Sequence, residues 1–408
     1  MFVKQVHAKQ FRNYSAADIA FSPGVNIILG RNGQGKTNLL EMLYFLSHAK
    51  SNRTSSDREL IMAEKEEALV SATVFSHLHQ AETVVSATLS IANDRLKTRF
   101  KHHVNVLRSR SEVLGLLPSV SFFLPDLLLL RGAPADRRQW LDLLVSQYDK
   151  RHLNYCNTFQ KIRQQKSMLL KQGMGSYAPD YLRTWNMQFT EAATVLTVSR
   201  LRGLSMVYPL IKSNHQTLSN GDENLELGYQ SKWLPVDSDP QNSNNYGVRS
   251  GELLDEAVIK DILSAALESH LNLEMQRGVC LVGPHRDDIV FSLNTMLATA
   301  YASQGQQRTI VLALKLSEMA LLRQKLMEPP VLLLDDVMAE LDDERQRLLV
   351  NQLHPTSQVI LTTTHPSQSW QAVLEDNVLV AQHVKTQDEL AVFGVERGNV
   401  SAVVKAAV

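Results

Sequence analysis

The chain has 408 residues, of which 44% are hydrophobic and 21% charged; this composition indicates a globular protein with a large core and excludes disordered, collagen-like and disulfide-framed chains. Its 42 basic residues balance 42 acidic ones, so the net charge by itself does not favour a nucleic-acid partner. The chain has only two cysteines, and its N-terminus lacks the apolar core of a signal peptide. Its apolar runs are far shorter than the ~20 residues of a membrane span. These features predict a cytoplasmic protein without a membrane partner.

The first 115 residues are predicted to alternate short strands with one helix. Apolar runs predict strands at Val25–Leu29, Ala68–Val74 and Thr83–Ile91, and a helix is expected to open at Lys36. The segment between the first of these strands and the helix matches the pattern G-x-x-x-x-G-K-T in full. Its eight residues are Gly30, Arg31, Asn32, Gly33, Gln34, Gly35, Lys36 and Thr37.

This pattern predicts a phosphate-binding loop. Glycines let the backbone curl so that several N–H groups face one point at the start of a helix, where an anion is favoured. Lys36 is expected to reach the β- and γ-phosphates of ATP, and the Thr37 hydroxyl to coordinate Mg²⁺. Because a predicted strand precedes the loop and a predicted helix follows it, a turn unrelated to nucleotide binding is disfavoured.

Residues 116–272 are predicted to form a mainly helical arm. Pro134 is well placed in the first turn of a helix that can run to Gly173, and a matching apolar stripe follows from Leu182 to Leu196. Two such helices would pair as an antiparallel hairpin; an ordinary helical subdomain is the alternative. The heptad positions of the first helix are Leu141, Val145, Tyr148, His152, Tyr155, Phe159, Ile162 and Leu169.

Charge is unevenly distributed along the chain. Between Arg95 and Lys171 fifteen Lys or Arg face five acidic residues, which makes this segment +10 and the remainder −10. A basic zone inside a neutral protein is typical of a phosphate-backbone footprint, and Arg137 and Arg138 are candidate DNA contacts. The alternative is a solvated helix surface whose charges the acidic remainder balances.

Residues 273–408 return to strands followed by helices, with strands predicted at Gly278–Val282, Val331–Leu334, Val359–Thr362 and Val378–Val380. The strand ending at Leu334 is followed by two carboxylates. Because parallel strands deliver their ligands at the carboxyl end, Asp335 is predicted to hold Mg²⁺ and Asp336 to orient or deprotonate the attacking water. A pair of helix-capping carboxylates is the alternative.

The segment SQGQQR at 303–308 resembles the signature motif of ABC-type ATPases, in which Ser303 and Gly305 would cap the γ-phosphate bound to the opposite subunit. A polar helix cap is the alternative. His365 stands near that family's switch histidine, and Thr362–Thr364 could align there instead. Together these motifs predict an α/β ABC-type P-loop ATPase head built from residues 1–115 and 273–408, with the helical arm inserted between.

The chain carries the motifs FRNY at 11–14, GRNGQGKTNLLE at 30–41, RGAPADRRQWLD at 131–142, GPHRDD at 283–288, SQGQQR at 303–308, and LLLDD with AELD at 332–342. In content and order these motifs resemble, over nearly the whole length of the chain, those of the RecF family, the DNA recombination and repair ATPases related to SMC heads. The resemblance implies an ATP-dependent homodimer on DNA in the cytoplasm, which works with RecO and RecR to load recombinase at single-strand gaps. It also suggests that Arg12 contacts the nucleotide, although a solvated strand-end arginine is equally consistent.

Two other classes of function remain open from the sequence. One is a DNA-binding module with a vestigial nucleotide site, which the intact Lys36, Thr37 and Asp335 disfavour. The other is the ATPase subunit of a membrane transporter, which the polar signature and the long helical insertion disfavour. Asp336 occupies the position where most ABC-type ATPases have glutamate; its shorter side chain predicts slow hydrolysis, suited to a switch more than to a motor.

Overall fold

The computed structural model describes residues 1–172, 178–234, 248–249, 255–336, 341, 345–347, 349, 357–364 and 390–405. The chain forms two compact units, one of residues 1–127 with 315–408 and the other of residues 128–314. The predicted boundaries at 115 and 272 do not coincide with this division. Residues 116–127 belong to the first unit because their strand joins its sheet, and residues 273–314 belong to the second for the same reason.

The first unit contains an antiparallel sheet with the strand order β2-β1-β4-β5-β6-β7. Buried residues alternate with half-buried or exposed ones along its strands, most regularly along β4, as expected of a sheet with one face in the core. Its strands are β1 (Phe2–Phe11), β2 (Tyr14–Ala20), β4 (Glu67–Ser76), β5 (Ala81–Ala92), β6 (Arg95–His102) and β7 (Asn105–Val106).

A second, mostly parallel sheet in this unit has the order β16-β15-β3-β14-β13-β8, in which only β16 is antiparallel to its neighbour. The central strands are buried almost throughout, which explains why their sequences are mainly apolar. Its strands are β3 (Val25–Leu29), β8 (Ser119–Phe122), β13 (Val331–Asp335), β14 (Val359–Thr363), β15 (Leu390–Glu396) and β16 (Asn399–Lys405).

Helix α1 (Lys36–His48) packs against strands of both sheets and is buried on nearly every side. The strands predicted at 25–29, 331–334 and 359–362 and the start of α1 at Lys36 are confirmed. The strand predicted at 378–380 lies outside the described residues. Short 3-10 turns occur at Asp57–Leu60, Arg110–Glu112 and Leu124–Leu128.

The second unit is mainly helical, as predicted for much of the arm. Its helices are α2 (Pro134–Tyr148), α3 (Lys150–Gln172), α4 (Ala178–Leu218), α5 (Glu256–Arg277) and α6 (Ala298–Tyr301), and α7 (Gln304–Leu326) begins there and ends in the first unit. Helices α3 and α4 pair antiparallel, because His152 contacts Ser199 near one end of the pair and Leu170 and Leu182 share a cluster near the other.

The single helix expected from Pro134 to Gly173 is broken at Asp149, so that prediction was wrong. Asp149 leaves the helical conformation, with φ −123° and ψ 96°, and its carboxylate accepts hydrogen bonds from the backbone and the guanidinium of Arg151. This carboxylate therefore caps the start of α3. A periodic apolar stripe continued across the break and concealed it.

A small antiparallel sheet completes the second unit, in the order β10-β9-β11-β12. Its strands are β9 (Leu225–Gln230), β10 (Val248–Arg249), β11 (Asp288–Leu293) and β12 (Met296–Leu297). The strand predicted at 278–282 is absent. Gly278 instead ends α5 with a left-handed φ of 65°, and the N–H groups of Leu281 and Val282 are bound by the buried Glu274 carboxylate.

Candidate nucleotide site

The phosphate loop connects β3 to α1 at the carboxyl edge of the parallel sheet. Gly33 and Gly35 adopt φ values of 79° and 120°, which glycine reaches without steric cost. Lys36 folds back over the loop, and its Nζ donates to the carbonyl oxygens of Gly30 at 2.8 Å and Arg31 at 3.4 Å. The ammonium is thus held above the curled backbone, and its contact with the phosphates stays a prediction.

The loop is fixed by two turns from elsewhere in the first unit. The Gln34 carbonyl accepts from Asn13 Nδ2 at 2.8 Å and from the N–H of Gly398, in the β15–β16 turn, at 3.0 Å. Tyr14 Oη donates to the Gly35 carbonyl at 3.0 Å. Asn13 and Gly398 were not predicted as site residues. The FRNY motif contains Asn13 and could have indicated its role, whereas no sequence pattern indicated a role for Gly398.

Gly398 is expected to be intolerant of alanine. Its φ is 77°, and a β-carbon there would lie 2.3 Å from the Asn13 carbonyl oxygen, so Gly398→Ala must push apart the β15–β16 and β1–β2 turns, both of which bind the loop. Gly221 has a similar φ of 81° but open space around it, which makes Gly221→Ala the matched control for backbone strain alone.

We expect Gly398→Ala to be less stable than Gly221→Ala by about 1–3 kcal/mol and to bind ATP more weakly, because the loop loses a fixed donor. Thermal unfolding and calorimetric titration with ATP measure the two effects. Equal stabilities, or an ATP affinity that Gly398→Ala leaves unchanged, would show that this turn does not support the loop.

Two carboxylates stand beside the loop at the end of β13. Asp335 Oδ1 accepts from the Thr37 hydroxyl at 3.0 Å and from the Thr362 hydroxyl of β14 at 2.8 Å. Burial, followed by the nearby charge of Asp336, raises the pKa of Asp335 above its ordinary value, although the two hydroxyls oppose this rise. Hydroxyl and carboxylate oxygens suit Mg²⁺, so Thr37 and Asp335 form a fitting pair for this ion.

Asp336 lies next to Lys36, with its Oδ2 3.8 Å from Lys36 Nζ. It adopts a left-handed φ of 51°, and its N–H donates to Thr362 Oγ1 at 3.0 Å. Thr362 therefore holds the Asp335 carboxylate through its hydroxyl hydrogen and the Asp336 backbone through its oxygen. The structure thus brings together four residues that sequence motifs about 300 residues apart had suggested: Lys36, Thr37, Asp335 and Asp336.

Arg12 is held by protein groups. Its Nε and Nη2 bind both oxygens of the fully buried Glu41 at 2.8 and 2.7 Å, and its Nη1 donates to the Glu59 carbonyl at 2.7 Å. The structure therefore ties Arg12 to α1, and a contact with the nucleotide stays a prediction. Arg31, Asn32 and Gly33 are exposed and accessible to a ligand.

The signature segment lies in the second unit, at the start of α7. Ser303 is exposed and forms a reciprocal cap with Gln306: Gln306 N donates to Ser303 Oγ at 3.2 Å, and Ser303 N donates to Gln306 Oε1 at 2.8 Å. Gln306 Nε2 also donates to Glu223 at 2.8 Å. Gly305 follows within the first turn. The cap at the start of α7 is compatible with the role predicted for Ser303 in the signature motif. His365 lies outside the described residues, as do Ala339, Glu340 and Asp342.

The two candidate DNA contacts bind groups of the second unit. Arg137 is buried and forms a bidentate ion pair with Asp288, both N–O distances being 2.8 Å, and its remaining nitrogen donates to the carbonyls of Leu130 and Gly132. Arg138 donates to the Asp287 carbonyl. The prediction that Arg137 contacts DNA is therefore wrong, because a buried guanidinium saturated by protein partners is not available to a phosphate. A contact between Arg138 and DNA stays a prediction.

These contacts also join the two segments 131–142 and 283–288. Besides the Arg137–Asp288 pair, Arg200 binds both oxygens of Asp142 at 2.8 Å and donates to the Pro284 carbonyl at 2.7 Å. The Asp287 carboxylate accepts from Tyr229 and Trp233 at 2.8 and 3.0 Å. Four charged residues of these motifs thus stabilise the interior of the second unit: Arg137, Asp142, Asp287 and Asp288.

Comparison with known proteins agrees with this geometry. Residues 2–388 match the family described as RecF/RecN/SMC N terminal domain. The chain is 36% identical to the DNA replication and repair protein RecF of Synechocystis sp., over 90% of this chain and 93% of that one. It is 35% identical to RecF of Halalkalibacterium halodurans, over 98% and 99% of the two chains. The chain belongs to the RecF family.

Solved structures support the same assignment. The recombination mediator protein RecF-ATP of the RecFOR pathway is similar with a TM-score of 0.83 at 28% identity, covering 99% of this chain and 98% of that one. An SMC head bound to the C-winged helix domain of ScpA has a TM-score of 0.52 at 16% identity, which shows a shared fold alone, over 99% and 97%.

The predicted ABC-type ATPase head and the resemblance to RecF are confirmed. Because the chain belongs to a DNA replication and repair family, the alternative of a transporter ATPase subunit is rejected. Among the described residues, none of the helices has both the length and the apolar character needed to cross a bilayer.

Proposed function

We propose that the chain is an ATP-gated DNA clamp of recombinational repair, acting with RecO and RecR. The observation that carries the proposal is the assembly of Lys36, Thr37, Asp335 and Asp336 around one phosphate loop. Lys36 would pair with the β- and γ-phosphates of ATP, and Thr37 and Asp335 would hold Mg²⁺, which neutralises phosphate charge when bound. The sequence and fold of RecF relatives, one of which is solved with ATP, support this assignment.

In this mechanism Asp336 accepts a proton from the attacking water. Thr362 fixes the backbone of Asp336 and orients the Asp335 carboxylate, so these two groups are positioned before the nucleotide arrives. An aspartate in this place has a shorter reach than a glutamate, which favours slow turnover. Slow hydrolysis suits a switch whose ATP-bound form must last long enough to recruit partners.

The signature segment supplies the dimer contact. Ser303 and Gly305 of one subunit would cap the γ-phosphate bound to the loop of another, so that each nucleotide helps join a symmetric dimer. The exposed Ser303 at the start of α7 supports this role. Two DNA-binding surfaces acting together would raise affinity, and loss of the bridging γ-phosphate would release the clamp.

Ser303→Arg is expected to prevent ATP-dependent dimerisation, because a large cation would replace the small cap of the partner's nucleotide. Light scattering should show a doubling of mass with ATP and Mg²⁺ for the wild type and for Asp336→Asn, which binds ATP but hydrolyses it more slowly. Ser303→Arg should stay at the lower mass, with weaker DNA binding in the same samples.

Ser264→Arg, at an exposed serine of α5, is the control for an added surface arginine and should dimerise normally. Unchanged mass and DNA affinity in wild-type samples that bind ATP would contradict the clamp. The surviving function would then be a DNA-binding module that nucleotide merely stabilises.

A further inference from the structure

One face of β6 carries a row of four basic side chains, Arg95, Lys97, Arg99 and Lys101, called here the basic stripe. Because side chains alternate between the two faces of a strand, these four point the same way and recur about every 7 Å. Arg95, Lys97 and Arg99 are exposed and Lys101 is half-buried. The intervening Phe100 is buried on the opposite face.

The basic stripe has no counter-charge within the part of the chain that the structure describes. Its four side chains form no ion pair or hydrogen bond there. The residues directly opposite on β5 are Ala92, Ser90, Thr88 and Ser86, all small or hydroxyl-bearing. The acidic residue nearest in register is Glu67, on β4 beyond Ser90. Four like charges therefore lie side by side in a chain whose net charge is zero.

Edge protection is the competing explanation. Strand β7 pairs only with Lys101 and His102, so most of β6 is an open edge, and basic side chains on an edge discourage pairing with another sheet. A single lysine can do this. A full row of cations beside a row of hydroxyls has the composition of a phosphate-binding surface, where cations neutralise the backbone and hydroxyls donate to phosphate oxygens.

We propose that the basic stripe, with Ser86 and Thr88 beside it, is a contact surface for the phosphate backbone of DNA. This inference rests on the DNA-binding function proposed above and gives that function a place in the first unit. Recognition of this kind is independent of base sequence, because alternate side chains along a strand meet only backbone charges. DNA would also relieve the mutual repulsion of the four cations.

The first test removes the charge. In the full-length variant Arg95→Gln, Lys97→Gln, Arg99→Gln and Lys101→Gln, affinity for a labelled duplex of arbitrary sequence, with ATP and Mg²⁺ present, is expected to fall at least roughly tenfold at about 0.1 M salt. The slope of log affinity against log salt should become shallower by about 0.9 for each phosphate that the variant no longer neutralises, while ATP affinity stays unchanged.

The matched control removes two lysines and two arginines from elsewhere. Lys65→Gln, Arg202→Gln, Lys232→Gln and Arg323→Gln alter exposed side chains in both units. This variant has the same net charge as the first, so a general loss of attraction to DNA would affect both equally. We expect its salt slope to remain close to that of the wild type.

A second variant keeps every cation. Ser86→Glu with Thr88→Glu places carboxylates directly opposite Lys101 and Arg99, next to Ser71 and Leu69 on the other side. Cross-strand pairs of opposite charge stabilise a sheet, so its thermal unfolding midpoint should not fall. Its DNA affinity should nevertheless decrease, because the new carboxylates neutralise the stripe.

The outcomes are distinguishable. Wild-type protein that fails to bind duplex with or without ATP, or that binds only anionic vesicles, overturns the proposed DNA-binding function and this inference with it. Wild-type binding that both stripe variants retain, with an unchanged salt slope, overturns the inference alone. Aggregation of the first variant while the Ser86→Glu, Thr88→Glu variant binds like the wild type would assign the stripe to edge protection and equally overturn it.

Discussion

Lys36→Met is expected to weaken ATP binding roughly 100-fold or more. The Lys36 side chain is only 4% exposed, and its Nζ is held between the Gly30 and Arg31 carbonyls and the Asp336 carboxylate. Methionine has a similar length but neither charge nor donors, so the phosphates would lose their fixed cation. Calorimetric titration with ATP and Mg²⁺ measures the change.

Lys65→Met, at an exposed lysine of the first unit, is the control and should bind ATP like the wild type. Lys36→Met should also remain folded, because methionine fills the same buried space. If Lys36→Met bound ATP as tightly as the wild type, the phosphates would have to bind at a different place. If ATP binding weakened and the thermal unfolding midpoint also fell strongly, Lys36 would stabilise the loop instead of binding the phosphates.

The phosphate loop could be predicted from sequence because its geometry is local. A buried strand, glycines at the positions that need positive φ and a helix opening at Lys36 are all encoded within one short segment, and their bounds proved correct. The carboxylates at the end of β13 followed from the rule that parallel strands place ligands at one edge. The hydroxyl of Thr362 then connects them in a way that the strand pattern alone did not indicate.

The supports of the loop were beyond such local patterns. Asn13 and Gly398 bind the same carbonyl of Gln34, yet they are 21 and 364 residues from it in sequence. Their roles arise only when β1, β2, β15 and β16 fold around the loop. A polar residue in a turn and a glycine in a hairpin each have a sufficient local explanation, so neither indicated a tertiary contact.

The arginines show why charge counting has limits. Arg137 was counted as part of a basic surface, but Asp288, 151 residues later, neutralises it inside the second unit. A sum of charges treats each guanidinium as solvated and cannot identify its partner. The alternating cations of β6 were in the same count, and the register of the sheet is what separates them from the buried ones.

Lys166→Met is expected to destabilise the second unit by about 3–5 kcal/mol. Lys166 of α3 and Glu274 of α5 are fully buried, with Nζ 2.6 Å from Oε2 in an ion pair whose angles fall outside those of a hydrogen bond. The Nζ also lies 4.7 Å from the centre of the Phe189 ring of α4, so one ammonium links three helices. Its removal leaves a buried carboxylate without a counter-charge.

Adding Glu274→Gln should recover at least half of the missing stability, because the neutral amide still offers an oxygen to the N–H groups of Leu281 and Val282. Lys161→Met, on the exposed side of the same helix, is the control and should change stability little. Urea unfolding followed by tryptophan fluorescence is the measurement, since three of the four tryptophans lie in residues 128–314. If Lys166→Met unfolded like Lys161→Met, the buried ion pair would contribute nothing to stability, and the three helices would be held by apolar packing alone.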